Sequence, residues 1–283
     1  MNPKNMRSNQ EVVFICGAPH SGSTLLGLIL GSHPETFYAG EANKSRFLNS
    51  KDPTMEDRFC KICGPECRIW GNYDSSLEKD LYEQLRRLTD KKIIIDSTKK
   101  VEWLKKRSEA LNFKEDKQYL IYIMRDGRAV INSRLRKYPE TDINDLISNW
   151  KDHVSATNEF FHNFKQNKIK IHYEELALSP EVVIESLCEF LNIAYFDKMI
   201  QYYDHEQHPL GGNTGTQSLI LKAQENKKTD SVIRLSSRNK YYYSEHPLGI
   251  KLDLRWKEEL DPKIRQLFDK EAGTLNEEFE FNK

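Results

Sequence analysis

The stretch from Val12 to Leu30 constrains the fold more than any other part of the chain. An apolar run, Val12-Val13-Phe14-Ile15-Cys16, reads as a buried strand over about Glu11–Cys16. Gly17-Ala18-Pro19-His20-Ser21-Gly22-Ser23-Thr24 follows, and then Leu25-Leu26-Gly27-Leu28-Ile29-Leu30, a helix expected from Ser23 to Ser32. Strand, glycine-bearing turn and helix in this order, with the spacing G-x-x-x-x-G-x-[ST], form the pattern of a phosphate-cradling loop. The glycines let the backbone wrap closely round an anion, and the N–H groups at the start of the helix face it. One position departs from the pattern. Ser23 stands where such loops carry a lysine that reaches the β- and γ-phosphates of a nucleoside triphosphate. The departure argues against ATP or GTP and for a shorter phosphate-bearing group.

The rest of the chain alternates strands with helices. Short strands read at Lys92–Ile95, Tyr119–Met124 and Ile169–His172. Helices read at Leu77–Leu88, from Lys99 through Leu111, and at Gly127–Lys137, Asp142–Phe164, Pro180–Leu191 and Pro262–Leu275. Alternation of this kind predicts an α/β fold, a P-loop-type parallel sheet flanked by helices on both faces. Residues 1–283 are expected to form a single domain, with loop-rich insertions around 42–73 and 202–251. The second insertion carries turn chemistry at His208-Pro209-Leu210-Gly211-Gly212-Asn213 and reads as irregular.

Lysine plus arginine equals aspartate plus glutamate, 43 of each, so there is no global charge to draw in nucleic acid. A local basic pocket is compatible with that balance. No apolar run approaches the roughly 20 residues of a membrane span. The start, Met1-Asn2-Pro3-Lys4-Asn5-Met6-Arg7, lacks a signal-peptide pattern, so a cytoplasmic location is expected.

Three of the five cysteines cluster as Cys60-x-x-Cys63-x-x-x-Cys67. The spacing fits a zinc knuckle, but structural zinc takes four protein ligands and no fourth lies nearby in sequence. Reduced cysteines or a local disulfide account for the cluster as well, and the expectation is that the protein needs no metal.

A second anchor is Arg125-Asp126-Gly127-Arg128-Ala129-Val130-Ile131-Asn132-Ser133, at the carboxyl end of the third strand and running into a helix. Ligands bind at that edge of open α/β sheets. The planar fork of Arg125 suits a phosphate, and Ser133 lies two turns into the helix. Together the two motifs resemble the sulfotransferase family. Tyr173-Glu174-Glu175-Leu176, Pro180 and Phe190-Leu191 are similar to its Y-E-x-L…P…F-L segment. Asp96-Ser97-Thr98-Lys99, the cysteine cluster ending at Trp70 and the His208…Asn213 loop look like bacterial members. Gly17-x-Pro19-x-Ser21-Gly22-x-Thr24-Leu25…His33-Pro34…Gly40-Glu41 is similar to protein-tyrosine sulfotransferases.

The resemblance implies a donor, 3′-phosphoadenosine 5′-phosphosulfate (PAPS), with phosphates on both sides of its ribose. It places Pro19, His20, Ser21, Gly22, Ser23 and Thr24 around the 5′-phosphosulfate. Arg125, Ser133 and Lys137 fall to the 3′-phosphate, Tyr173 lines the donor site, and Gly211, Gly212 and Asn213 close over the nucleotide. His20 replaces the usual Lys or Arg, so either His20 serves or Lys99 supplies the missing charge. Glu41 falls where tyrosyl-protein members carry their catalytic glutamate and is the expected general base for a hydroxyl acceptor. His20 and His33 are next in line. The acceptor class is a small molecule, a glycan or a tyrosyl group. Trp70, Tyr73 and Tyr241-Tyr242-Tyr243 suit either such a ring or the core. Two rival readings are a P-loop kinase using ATP and a non-catalytic nucleotide-binding module.

Overall fold

A computed structural model describes residues 10–281 apart from 49, 53–58, 112–116, 225–232 and 236. Its strands are β1 (Glu11–Cys16), β2 (Thr36–Gly40), β3 (Ile93–Asp96), β4 (Lys117–Met124) and β5 (Asn167–His172). Among the described residues they form a five-stranded sheet in the order β2-β3-β1-β4-β5, with every pairing parallel. All residues of β1 and β3 are buried, which is why they read as unbroken apolar runs rather than alternating ones.

The helices are α1 (Ser23–Leu30), α2 (Leu81–Thr89), α3 (Val101–Ala110), α4 (Gly127–Lys137), α5 (Ile143–Asn163), α6 (Tyr173–Leu178), α7 (Pro180–Leu191), α8 (Thr214–Ala223), α9 (Ser237–Ser244), α10 (Trp256–Glu259) and α11 (Pro262–Asn276). The chain leaves β1 through α1 toward β2 on one side of the sheet. It then returns through β3, α3 and β4 toward the other side. Right-handed crossovers put these two excursions on opposite faces. In keeping with this, α1 packs on β1, β2 and β3, whereas α3, α4 and α11 all pack on α5. The carboxyl ends of β1 and β4 therefore flank the point where the winding reverses.

Several helix ends follow from side chains at their N-caps. Asp126 accepts from Arg128 N at the start of α4, and Asp142 from Asn144 N at the start of α5, each at 2.8 Å. Pro180 and Pro262 open α7 and α11, where a missing N–H costs nothing.

The expected helix Leu77–Leu88 is a 3-10 turn over Ser75–Asp80 followed by α2, and the structure departs further from expectation in two places. Thr36–Gly40 is a full edge strand that is not among the strands expected from sequence. The segment 202–251 is not irregular throughout, since it carries α8 and α9. The first of these starts where the Asn213 side chain accepts from Thr216 N at 2.9 Å. Its polar opening, Thr-Gly-Thr-Gln-Ser, hides an apolar face that buries Leu219 and Ile220. Among the described residues no helix is long and apolar enough to cross a membrane.

Candidate active site

A cavity of about 580 Å³ opens where β1 and β4 end and α1 begins. Its lining includes Lys99, Arg125, Arg134, Arg136, Lys137, Arg234, Lys251 and Arg255, against the carboxylates of Glu41 and Asp253. Eight lysines and arginines against two carboxylates make this a local basic pocket in a chain with no net charge.

The floor is the turn from Gly17 to Gly22. Gly22 holds φ at 94°, and a Cβ there would stand 2.5 Å from the Tyr173 ring, so only glycine lets the turn approach α6. His20 also sits at positive φ, 73°, which is uncommon for a residue with a side chain. No side chain caps the start of α1, and no acidic residue lies in its first turn. The helix thus presents the positive end of its dipole to the cavity, with no acidic residue in its own first turn.

Arg125 is 8% exposed. Its Nη1 donates to His20 O at 2.9 Å and its Nη2 to Asp253 O at 3.0 Å, while its guanidinium lies 4.3 Å from the Tyr173 ring centroid. Ser133 Oγ is 3.0 Å from His20 Nδ1. Burial, then the charges of Lys137, Arg134, Arg125 and Arg136, hold the His20 pKa down to about 3. Its imidazole is therefore neutral near pH 7, which leaves it a hydrogen-bonding role at this position.

Lys99 also lines the cavity, with Nζ donating to Ser97 O, and is not a solvated lysine at a helix start. Burial lowers its pKa, and the Glu41 carboxylate is the largest of the charges opposing that. Glu41 follows β2 directly. Its N–H donates to Leu210 O at 2.7 Å, and Leu210 N donates to Ala39 O at 2.9 Å. Gly40 holds φ at 79°, and a Cβ there would fall 2.2 Å from Leu210 O, so the close approach requires glycine. On the other side, buried Asp96 accepts from Ala42 N at 3.1 Å, Thr98 N at 2.8 Å, Tyr82 Oη at 2.8 Å and Trp103 Nε1 at 3.0 Å. Asp96 thereby fixes the turn that carries Glu41.

Of the residues expected from sequence, Pro19, His20, Gly22, Ser23, Thr24, Glu41, Lys99, Arg125, Ser133, Lys137, Tyr173, Gly212 and Asn213 line this one cavity. Three do not. Ser21 is 1% exposed, and its N–H is already used on Ala18 O at 3.1 Å. Gly211 lies beneath the lining, where a Cβ would stand 3.2 Å from Glu41 Oε2. His33 sits beyond the far end of α1, with Nε2 on Ala194 O and Nδ1 accepting from Glu35 N, each at 3.0 Å. Trp70 and Tyr73 are core residues, 3% and 4% exposed. Tyr242 and Tyr243 line the cavity, but Tyr241 points to solvent at 79% exposure.

Sequence reasoning missed Arg134 and Arg136, although the run Arg134-Leu135-Arg136-Lys137 was a signal. It also missed Asp253 and Arg255, which form a bidentate pair at 2.7 and 2.8 Å. Burial alone would raise the Asp253 pKa, but Arg255 and Arg125 outweigh it and hold the carboxylate well below its usual range. His153 Nε2 meets Gly17 O at 3.0 Å and tethers the turn, with no local motif to announce it. Arg128 faces away from the cavity and pairs with Asp126 at 2.6 Å and Glu280 at 2.8 Å.

With this geometry in hand, comparison with known proteins is informative. The profile of the sulfotransferase family matches residues 12–197. Protein-tyrosine sulfotransferase A of Caenorhabditis elegans is 30% identical over 212 residues, which cover 69% of this chain and 52% of that protein. Protein-tyrosine sulfotransferase 1 of Danio rerio is 26% identical over 240 residues, 80% of this chain and 63% of that protein. The chain thus spans about half to two thirds of the length of these relatives. Among solved structures, the sulfotransferase domain from the curacin biosynthetic pathway superposes with a TM-score of 0.63 at 20% identity, covering 97% of this chain and 100% of that one. A mouse sulfotransferase complexed with PAP gives a TM-score of 0.52 at 14% identity, covering 96% and 90%. At such identities the superpositions speak for a shared fold.

Proposed function

This chain belongs to the sulfotransferase family, and on that premise we propose that it moves a sulfuryl group from PAPS to a hydroxyl acceptor. The observation that carries the reading is the uncapped start of α1 lying in one cavity between the Arg125–Ser133–Lys137 cluster and the Glu41–Lys99 pair. The helix start and the Arg125–Lys137 cluster are two separate positive zones, which suit a donor with two separated phosphate groups. The missing lysine at Ser23 counts against a kinase using ATP.

In this reading the N–H groups at the start of α1, with Ser23 and Thr24, hold the 5′-phosphosulfate. Arg125 and Lys137 hold the 3′-phosphate, with Ser133 beside them, and the Tyr173 ring lies against the Arg125 guanidinium. Glu41 takes the proton of the acceptor hydroxyl as its oxygen attacks sulfur. The bond from sulfur to the 5′-phosphate oxygen breaks in line, and adenosine 3′,5′-bisphosphate leaves with both electrons of that bond. Lys99, buried beside Glu41, offsets charge developing on the transferring oxygens. Neutral His20 orients the turn through Ser133 and adds no charge. The tyrosyl-protein relatives make a phenolic hydroxyl the acceptor to try first.

The reading is tested by thermal denaturation with adenosine 3′,5′-bisphosphate and with AMP, in buffer without magnesium. The bisphosphate should raise the melting temperature clearly more than AMP does. Equal shifts would remove the case for a 3′-phosphate site, and a requirement for magnesium would favour a kinase.

A further inference from the structure

Outside the cavity, four potential metal ligands converge. The sulfur atoms of Cys60, Cys63 and Cys67 and a ring nitrogen of His208 all lie within 4.8 Å of one another. The fourth ligand that the sequence around the cysteines lacks arrives from 141 residues beyond Cys67. His208 Nδ1 is 3.2 Å from Cys63 Sγ and 3.4 Å from Cys67 Sγ. Tetrahedral zinc, with bonds of about 2.3 Å to sulfur and 2.0–2.1 Å to nitrogen, separates its ligand atoms by about 3.5–3.8 Å. The cluster needs only a small adjustment to reach that spacing.

Three further features fit an ion at the centre. Cys63 N donates to Cys60 Sγ at 3.4 Å, and Gly64 N returns to Cys60 O at 3.0 Å. This is a tight turn that points an N–H at a sulfur. Second, His208 Nε2 lies 3.1 Å from Glu206 Oε1. A carboxylate there fixes the tautomer with the proton on Nε2 and turns the Nδ1 lone pair toward the sulfurs, as is usual for a metal-bound histidine. Third, Cys60, Cys67 and His208 are 0%, 2% and 6% exposed, and none of the cysteines is in a disulfide. Thiols massed around an imidazole in the core gain little as hydrogen-bond partners, being weak donors and weak acceptors.

We propose that Cys60, Cys63, Cys67 and His208 form a closed zinc site that fastens the 206–213 segment to the loop after β2. Four protein ligands leave no open position for water or substrate, so the ion's role is structural. The fastening has a direction. Trp70 Nε1 donates to His208 O at 2.6 Å and Lys61 N to Pro209 O at 3.0 Å, and the next residue, Leu210, holds the N–H of Glu41. Three residues further on, Asn213 N donates to Thr24 Oγ1 at 3.0 Å. The zinc site thus sets the strap that places Glu41 against the start of α1. This inference does not depend on which donor or acceptor the cavity takes.

Elemental analysis of the full chain, purified under reducing conditions, should find about one zinc per chain. Cobalt replacing it should show thiolate-to-cobalt charge transfer and the ligand-field bands of a tetrahedral ion. Three thiols should become reactive only when a chelator is added. A protein that carries no zinc and takes up none from solution would overturn the proposal. So would a disulfide within the cluster, or thiols equally reactive with and without chelator. Because Cys60→Ser could simply misfold, Glu206→Ala is the second arm. The Glu206 side chain is 63% exposed, so its loss spares the core. Zinc affinity, measured by competition with a chromophoric chelator, should fall about 10- to 100-fold. Unchanged affinity would remove His208 from the ligand set.

Discussion

The Arg125 wall and the Glu41 wall of the cavity face each other but are secured by different means. Arg125 and the turn before α1 sit at the ends of neighbouring strands, β4 and β1, whose register runs unbroken from Glu11↔Lys117 to Cys16↔Tyr122. Sheet pairing alone brings them together. Glu41 sits just beyond an edge strand whose register slips between Tyr38 and Gly40. Its position depends on ties from outside the strand, from Leu210 to its N–H, from Ser97 to the Gly40 carbonyl and from Asp96 to the N–H of Ala42. A wall built on strand ends tolerates loss of one side chain, whereas a wall built on ties transmits each loss to the group it positions.

The largest expected effect tests whether the walls divide the work. Glu41→Gln should lower turnover by roughly 10²–10⁴-fold, the usual contribution of a positioned base. Affinity for adenosine 3′,5′-bisphosphate should stay unchanged, read by calorimetry. A variant that loses donor affinity and keeps its turnover at saturation would end the division of roles. Arg125→Ala should do the opposite. It should weaken bisphosphate binding by about 2 kcal/mol, roughly 30-fold, and change turnover at saturating donor much less.

A smaller effect sharpens the picture of the Arg125 wall. His20 has its pKa lowered from 6.5 to about 3. Between those values the unfolded chain binds a proton that the folded chain does not, so stability falls as pH drops from 6.5 toward 3, with no effect above 6.5. The slope from this group is at most about 1.4 kcal/mol per pH unit. His20→Asn, which tolerates positive φ, should remove that component. Parallel melting curves for the two proteins from pH 7 to pH 5 would refute a buried neutral imidazole. Ser133→Ala, which breaks the contact with His20 Nδ1, should cost about 1 kcal/mol or less in bisphosphate affinity.

The same contrast explains what could be read before the fold was known. The turn from Gly17 to Thr24 and the run from Arg125 to Ser133 were legible because strand, turn and helix dictate each other over a few residues. The bounds of β1, α4 and α7 were legible for the same reason. Asp96 was visible only as part of a tetrapeptide, not as the hub that Tyr82, Trp103, Thr98 and Ala42 converge on. Asp253, Arg255 and His153 reach the site through contacts with backbone or charge far away in sequence, and nothing in their neighbours signals it. His208 was noted as turn chemistry, and only folding sets it among the cysteines. The helices of the 202–251 segment were missed because their apolar residues are few and lie on one face.

The sheet has two edges, and they are protected by opposite strategies. On β5, Lys168 and Lys170 stand exposed, and such charges discourage another chain from pairing there. On β2 every residue is buried, Phe37 packs beside Trp70 and His208, and Leu210 pairs where the strand ends. That edge has no charged sentry of its own, only a cover. If the strap lifts, by oxidation of the cysteines proposed to fasten it for example, an uncharged five-residue strand becomes a template for a second chain. This molecule's characteristic failure in storage would then be association through β2, appearing before global unfolding and carrying the loss of Glu41's placement with it.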